Sequence, residues 1–179
     1  MTKTIFLIGY MGCGKTTLGQ AVARRTGVPF TDLDEYVEAK AGMSISEIFA
    51  LRGEAAFRQM EREALEELAS PPGTGAAIVA CGGGTPCFGD NMELMNRLGT
   101  TVHLTASHAR LLERLAVARA HRPLIASLSD DELGRFIAEK YAERLPWYSQ
   151  AAVEFDADRL DDAGQVEETS RKFIKQFEL

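Results

Sequence analysis

The sequence predicts an α/β fold: one domain over residues 1–179, with a five-stranded, mainly parallel sheet flanked by helices on both faces. Three observations predict it. Short apolar runs recur five times, a stretch with helical spacing follows each, and glycine, proline or capping residues stand at the junctions. A chain of 179 residues can bury roughly 70% of its unfolded surface, enough for one sizeable core.

The first strand is Thr4 to Ile8, and the amphipathic run from Thr16, with Leu18 and Val22 on one face, is the first helix. Gly27 and Pro29 close that helix, "PFTDLD" supplies a brief second strand, and a helix is expected from Glu35 to Ala41. Ser44 and Glu47 have the spacing of a capping box, and Phe57, Met60, Ala64, Leu65 and Leu68 mark a long helix from about Glu54 to Ala69. "AAIVAC" is the third strand and ends in Gly82, Gly83 and Gly84. Asp90 with Glu93 then starts a helix ending near Leu98. "TTVHL" and "SHARLLERLAVARA" repeat the unit, and "HRPLIASLSDDE" breaks it as a loop. Ser129 and Glu132 cap a helix expected to run through Arg144, "AAVEF" is the fifth strand, and a last helix begins near Asp162. "SPPGTG" reads as a surface loop within this alternation and not as a domain boundary.

Net charge is -6 and the pI about 5.2, a field that repels nucleic acid and anionic membranes, so neither is expected as a partner. The amino-terminal apolar run is far shorter than a signal sequence or a membrane span, and Cys13, Cys81 and Cys87 form no disulfide framework. A cytoplasmic protein is expected. His103, His108 and His121 lack the spacing of a transition-metal site and read as surface or packing residues.

"LIGYMGCGKTT" carries the chemistry. Gly9 to Thr16 fits GxxxxGK[ST], the P-loop pattern, and falls between a strand and a helix. With no side chains at Gly9, Gly12 and Gly14, backbone N–H groups can converge on phosphate oxygens at the positive end of the following helix. ATP is the expected ligand, bound by Gly12, Cys13, Gly14, Lys15, Thr16 and Thr17. Lys15 faces the β and γ oxygens, and the Thr16 hydroxyl is placed for Mg²⁺. Cys13, beside Lys15 at a helix amino end, reads either as an activated thiol or as a small filler.

The acceptor is read from other residues. Asp32 and Asp34 lie at the carboxyl end of the second strand, the edge that lines the ligand crevice in open α/β sheets. Two residues apart on an extended segment, they point to one face and can serve the metal shell and an acceptor hydroxyl together.

"GYMGCGKTT", "DLDEY", "RGEAAFRQME", "CGGGTPC", "RPLI" and "ERLPWY" come in the order and approximate spacing of one family, and over nearly its whole length the chain resembles shikimate kinase. That resemblance implies a P-loop kinase fold of the nucleoside monophosphate kinase type, with an acceptor-binding region at about 33–62 and a mobile lid at about 119–129. It implies transfer of the γ-phosphoryl group of MgATP to the 3-hydroxyl of shikimate; a monomer is expected, although nothing in the sequence fixes the oligomeric state. In its terms Asp34 is the base at the acceptor hydroxyls and Asp32 lies near the Mg²⁺ shell. Arg58, followed by Glu61, and Arg144 bind the shikimate carboxylate, which a planar guanidinium can fork bidentately. Gly82, Gly83 and Gly84 bring backbone amides against the acceptor ring, since a Cβ would hold the ring away. Arg122 is the lid arginine that reaches the transferring phosphate, and Arg114 or Arg119 stacks on adenine.

Three positions depart from the family pattern. Cys81 stands where threonine or serine is usual, Cys13 replaces alanine or serine, and Ile125 replaces the second leucine of "RPLL". A thiol at Cys81 substitutes poorly for a hydroxyl at a metal shell. The rival readings are another small-molecule kinase, such as a gluconate or nucleoside monophosphate kinase, and an ATP-sensing regulator that transfers nothing.

Overall fold

The computed structural model describes residues 4–69, 76–121 and 124–179. Five parallel strands run in the order β2-β3-β1-β4-β5, with β1 at Thr4–Ile8, β2 at Phe30–Asp32, β3 at Ala77–Ala80, β4 at Gly99–Thr105 and β5 at Val153–Asp156. β1 is central, and every one of its residues is buried, which is why it reads as an unbroken apolar run and not as an alternation. The chain winds to one side of β1 through β2 and β3 and to the other through β4 and β5. The carboxyl end of β1 is therefore the switch point, where such sheets open a crevice.

Seven helices cover the sheet among the described residues: α1 at Lys15–Thr26, α2 at Leu33–Ala41, α3 at Ile45–Leu68, α4 at Asn91–Leu98, α5 at His108–Ala118, α6 at Asp130–Tyr148 and α7 at Ala163–Phe177. α1 packs against α7 and α5 against α6. Both capping boxes form. The Ser44 and Ser129 hydroxyls accept from the N–H groups of Glu47 and Glu132, whose carboxylates reach back to the serine amides. Each contributes on the order of 1 kcal/mol.

Three local expectations are corrected. α2 begins at Leu33, two residues before Glu35, because Asp32 caps it by accepting from the Asp34 N–H at 3.1 Å. Upstream of Glu54 the chain is already helical. α3 is two helices joined at Gly53, whose φ of 80° and ψ of 169° suit glycine alone, so the periodicity from Glu54 describes the second half. α4 starts after Asp90 and ends at Leu98 as expected, although the Asp90 carboxylate pairs with Arg62 and makes no side-chain cap.

α6 runs past Arg144 and through Pro146 to Tyr148. A proline inside a helix forfeits a hydrogen bond, at about 3 kcal/mol. Against that, full burial of the Tyr148 ring contributes about 1.5–3 kcal/mol and its hydroxyl finds a partner, while the Ser149 N–H bonds the Leu145 carbonyl at 2.8 Å.

Candidate active site

Two loops leave adjacent strands at the same level. Leu7 of β1 is in register with Ala80 of β3, and the Cys81 N–H donates to the Leu7 carbonyl at 3.0 Å, so residues 9–14 and 81–84 emerge side by side. The first loop is the P-loop. Gly9 and Gly14 have φ of 139° and 100°, and a Cβ there would come 2.6 Å from the Leu104 carbonyl oxygen and 2.4 Å from Leu160 Cδ1, respectively. Conformation favours glycine at both positions, and at Gly9 the backbone carbonyl leaves no room for a Cβ, whereas at Gly14 the Leu160 tip could move aside. The loop walls a cavity of about 660 Å³ together with Thr16, Thr17, Asp32, Asp34, Gly82 and Gly83.

Lys15 Nζ is folded onto its own loop, donating to the Gly9 and Tyr10 carbonyls at 2.8 and 3.1 Å. Thr16 Oγ1 donates to Asp32 Oδ2 at 2.9 Å, while Asp32 Oδ1 accepts from Asp34 N. One carboxylate thus ties the P-loop helix to the first turn of α2. Asp32 and Asp34 do share the cavity, but not through strand alternation: Asp32 caps the helix on which Asp34 sits. Burial pushes the Asp34 carboxyl up to about 6, and the nearby charges of Asp32 and Glu61 add to the rise while Lys15 opposes it. Thr16 and Asp32 offer hard oxygen donors at the P-loop, a set that fits Mg²⁺, and no group of three or more His, Cys, Asp or Glu residues forms a metal cluster among the described residues.

The second loop gathers the remaining residues. A Cβ on Gly82 would lie 3.0 Å from Asp34 Oδ1, one on Gly83 would lie 3.2 Å from Arg144 Nη1, and one on Gly84 would lie 3.6 Å from Arg58 Nη2. Three successive glycines therefore face the three side chains expected to meet the acceptor. Gly83 also borders the P-loop, its Cβ position being 3.5 Å from the Gly9 carbonyl oxygen and the Met11 nitrogen.

Arg58 lies on the second half of α3, its guanidinium 3.6 Å from the centre of the Phe88 ring. Arg58 Nη1 donates to Glu61 Oε2 at 2.7 Å. Glu61, buried, accepts from Thr85 Oγ1 on its other oxygen at 2.6 Å. On its outer side Arg58 pairs with exposed Glu54 at 3.2 Å. Arg144 makes no ion pair among the described residues and lies 5.7 Å from the Tyr10 ring centre. Neither arginine is on the wall of the large cavity. Arg58 instead borders a recess of about 540 Å³ with Glu54 and Phe88.

Arg122 lies outside the described residues. In the segment expected to be the lid, Ile125 is buried and Leu124 is exposed, and Arg119 donates to the Leu128 carbonyl and pairs with Asp130. That turns Arg119 toward the start of α6. Arg114 borders the cavity and donates to the carbonyls of Gly12, Ala157 and Asp158, so of the two adenine candidates it is the one at the P-loop. Cys13 is 1% exposed, with its sulfur packed against Gly9 and 3.7 Å from Lys15 Nζ. Cys81 is buried with its sulfur 3.7 Å from Met95 Sδ, and burial pushes its thiol up, so it is no thiolate ligand. His103 is a core residue on β4, kept neutral by burial.

Sequence reasoning missed Arg110 and Asp161 on the cavity wall, Thr85 behind Glu61, and Tyr148, whose hydroxyl donates to the Gly83 carbonyl at 2.6 Å. The tyrosine within "ERLPWY", one helical turn beyond Arg144, was the available signal.

A P-loop at the switch point of a parallel five-stranded sheet, with an arginine-rimmed glycine loop beside it, marks the class of P-loop small-molecule kinases. The shikimate kinase family model matches residues 11–178. A shikimate kinase from Bacteroides thetaiotaomicron is 46% identical over 175 residues, covering 98% of each chain. One from Phocaeicola vulgatus is 48% identical over 167 residues, covering 93% of each. The crystal structure of shikimate kinase from B. thetaiotaomicron superposes with a TM-score of 0.91 at 45% identity over 99% of both chains. Shikimate kinase from Acinetobacter baumannii in complex with shikimate gives 0.79 at 29% identity, over 99% of this chain and 93% of the other. The chain belongs to the shikimate kinase family.

Proposed function

We propose that the P-loop holds the phosphoryl donor and the Gly82–Gly84 edge holds the acceptor, the two being brought together at Gly83. The reaction is ATP-dependent phosphorylation of the 3-hydroxyl of shikimate, giving 3-phosphoshikimate and ADP on the route to chorismate and aromatic amino acids. The observation that carries this division is the alignment of Asp34, Arg144 and Arg58 along three consecutive glycines, one residue each.

Little covalent work falls to the protein in such a transfer; it positions two anions and neutralises charge. Gly12, Gly14 and Thr17 line the phosphate cradle, with Cys13 between the two glycines as part of the loop backbone, and an incoming γ-phosphate competes for the Lys15 ammonium with the Gly9 and Tyr10 carbonyls that now hold it. Thr16 and Asp32 would hold Mg²⁺, which when bound supplies positive charge to the β and γ oxygens. Asp34 takes the proton of the acceptor hydroxyl as its oxygen bonds phosphorus and the bond to the ADP oxygen breaks. A carboxyl near 6 is ionised at neutral pH yet basic enough to accept. Arg144, with no carboxylate partner among the described residues, and Arg58, whose outer partner Glu54 is exposed and displaceable, fork the shikimate carboxylate.

The segment at about 119–129, with Arg122, closes over the pair and excludes water that would otherwise take the phosphate. The whole chain acts as one domain and as a monomer, in the cytoplasm. Phosphorus NMR of the product formed from MgATP and shikimate tests donor, acceptor and regiochemistry at once. A coupled ADP-release assay run with shikimate, gluconate and nucleoside monophosphates separates the rival kinases, and ATP binding without acceptor-dependent turnover would mark a regulator.

A further inference from the structure

We propose that Tyr148 is a positioning residue for phosphoryl transfer: its phenol grips the Gly83 carbonyl and so fixes the spacing between the acceptor loop and the P-loop. The proposal rests on the acceptor reading of the Gly82–Gly84 loop given above.

Tyr148 is the last residue of α6, four beyond Arg144, and the two share a helix face. That face meets Gly83 twice. The Arg144 guanidinium fills the space where a Cβ would be, with Nη1 at 3.2 Å, and Tyr148 Oη donates to the Gly83 carbonyl at 2.6 Å. The phenol is fully buried, and burial raises its pKa, so it stays a protonated donor across the working range.

The ring is itself held by the donor side of the site. Its centre is 5.0 Å from His103 on β4 and 6.2 Å from Tyr141, and Tyr141 lies 5.9 Å from Tyr10 within the P-loop. Gly83 in turn sits against Gly9 and Met11. The aromatic cluster beneath the P-loop thus ends in one hydrogen bond to the acceptor loop, so donor and acceptor walls share a single support. Keeping α6 helical through Pro146 is what brings the phenol there.

Tyr148→Phe keeps the ring and deletes the bond, leaving the Gly83 carbonyl without its partner. The expected result is a loss of about 5- to 50-fold in kcat/KM for shikimate, with the KM for ATP within about twofold of wild type. Amide exchange at Thr85, whose N–H bonds the Gly82 carbonyl at 3.1 Å, measured without ligands, should speed up by about the same factor. Tyr141→Phe removes a phenol from the same cluster and should change neither quantity. Unchanged kinetics for Tyr148→Phe, or an equal loss for ATP and shikimate, overturns the positioning role. Unchanged exchange overturns the grip itself. If Arg144→Lys weakens shikimate binding while Tyr148→Phe does not, the acceptor reading stands and this proposal falls; if neither variant affects shikimate, the acceptor reading fails.

Discussion

The carboxylate of Asp34 occupies the space over Gly82: a Cβ built on that glycine would lie 3.0 Å from Oδ1 and 3.6 Å from Oδ2. The same Cβ would sit 3.0 Å from Thr85 Oγ1, which is held by buried Glu61. Gly82→Ala must therefore displace the base, since the threonine is pinned on the other side. A contact at 3.0 Å obliges the carboxylate to give by a few tenths of an ångström, and since a misplacement near 1 Å costs about 100-fold, we expect a fall in kcat of roughly 3- to 10-fold, while the melting temperature changes little. A wild-type kcat for this variant would show that the carboxylate does not need its present position.

Asp34 also sets a pH dependence. With its carboxyl raised to about 6, kcat/KM for shikimate should fall about tenfold per pH unit below that value, as the base becomes protonated. For stability the sign is opposite. The folded state binds the Asp34 proton more tightly than the unfolded chain, so its contribution is present below about 4 and is lost as pH rises through about 6. Asp34→Asn should thus be more stable than wild type at pH 8, by on the order of 1–3 kcal/mol, and gain little at pH 4. Urea titrations at the two pH values check this. An equal difference at both would place the charge in solvent.

How legible all this was in the sequence depended on the range of each interaction. The P-loop was legible because its function is written in consecutive residues, where glycines between a strand and a helix admit few readings. The five strands and both capping boxes were legible for the same reason. The start of α2 was misplaced because the deciding bond, from Asp34 N to Asp32 Oδ1, competes with a strand pattern that looks continuous. The end of α6 was misplaced because the local rule against proline is overridden by the distant contact of Tyr148 with Gly83. Arg110 and Asp161 were missed because strand order alone brings them to the site, and Thr85, although next to Gly84, was missed because its partner Glu61 lies on a distant helix. The glycine triplet carried information only once its neighbours Asp34, Arg144 and Arg58 were known.

Lys15→Ala should lower kcat by at least about 100-fold, the usual loss for one donor to the transition state. Lys15 also bonds the Gly9 and Tyr10 carbonyls, so a disturbed loop is an alternative cause. Thermal melting and the KM for shikimate separate the two: both should stay near wild type if the loss is electrostatic.

Thr16→Val and Asp32→Asn probe the metal shell through one hydrogen bond. Thr16→Val removes the hydroxyl that bonds Asp32, and Asp32→Asn keeps the cap on Asp34 while removing the charge. Both should raise the Mg²⁺ concentration needed for half-maximal rate, by about 10-fold or more on the scale for altered metal-site partners. A magnesium titration at fixed ATP reads this directly, and an unshifted midpoint in both variants would move the metal elsewhere.

The two arginines differ in how free they are, and that predicts different responses. Arg144 has no ion-pair partner among the described residues, whereas Arg58 is shared between buried Glu61 and exposed Glu54. Lysine in place of either loses the planar fork, and shikimate binding should weaken by up to 2–5 kcal/mol, roughly 30- to several thousand-fold. Glu54→Gln releases the outer side of Arg58 without touching Glu61, so an incoming carboxylate no longer competes with a resident one. Its KM for shikimate should therefore be equal to or lower than wild type. Exposed pairs are worth only about 0–1 kcal/mol, which limits any gain to about fivefold and leaves the melting temperature nearly unchanged. Glu61→Gln removes the buried charge instead, and should raise the KM for shikimate and lower the melting temperature together, because the single amide oxygen cannot serve both donors and the Arg58 charge loses its buried counter-ion. Opposite shifts in KM from two glutamates on the same arginine are the signature of a guanidinium that exchanges its outer partner for the substrate and keeps its inner one. A raised KM for Glu54→Gln would mean that Glu54 orients Arg58 and does not yield to the acceptor.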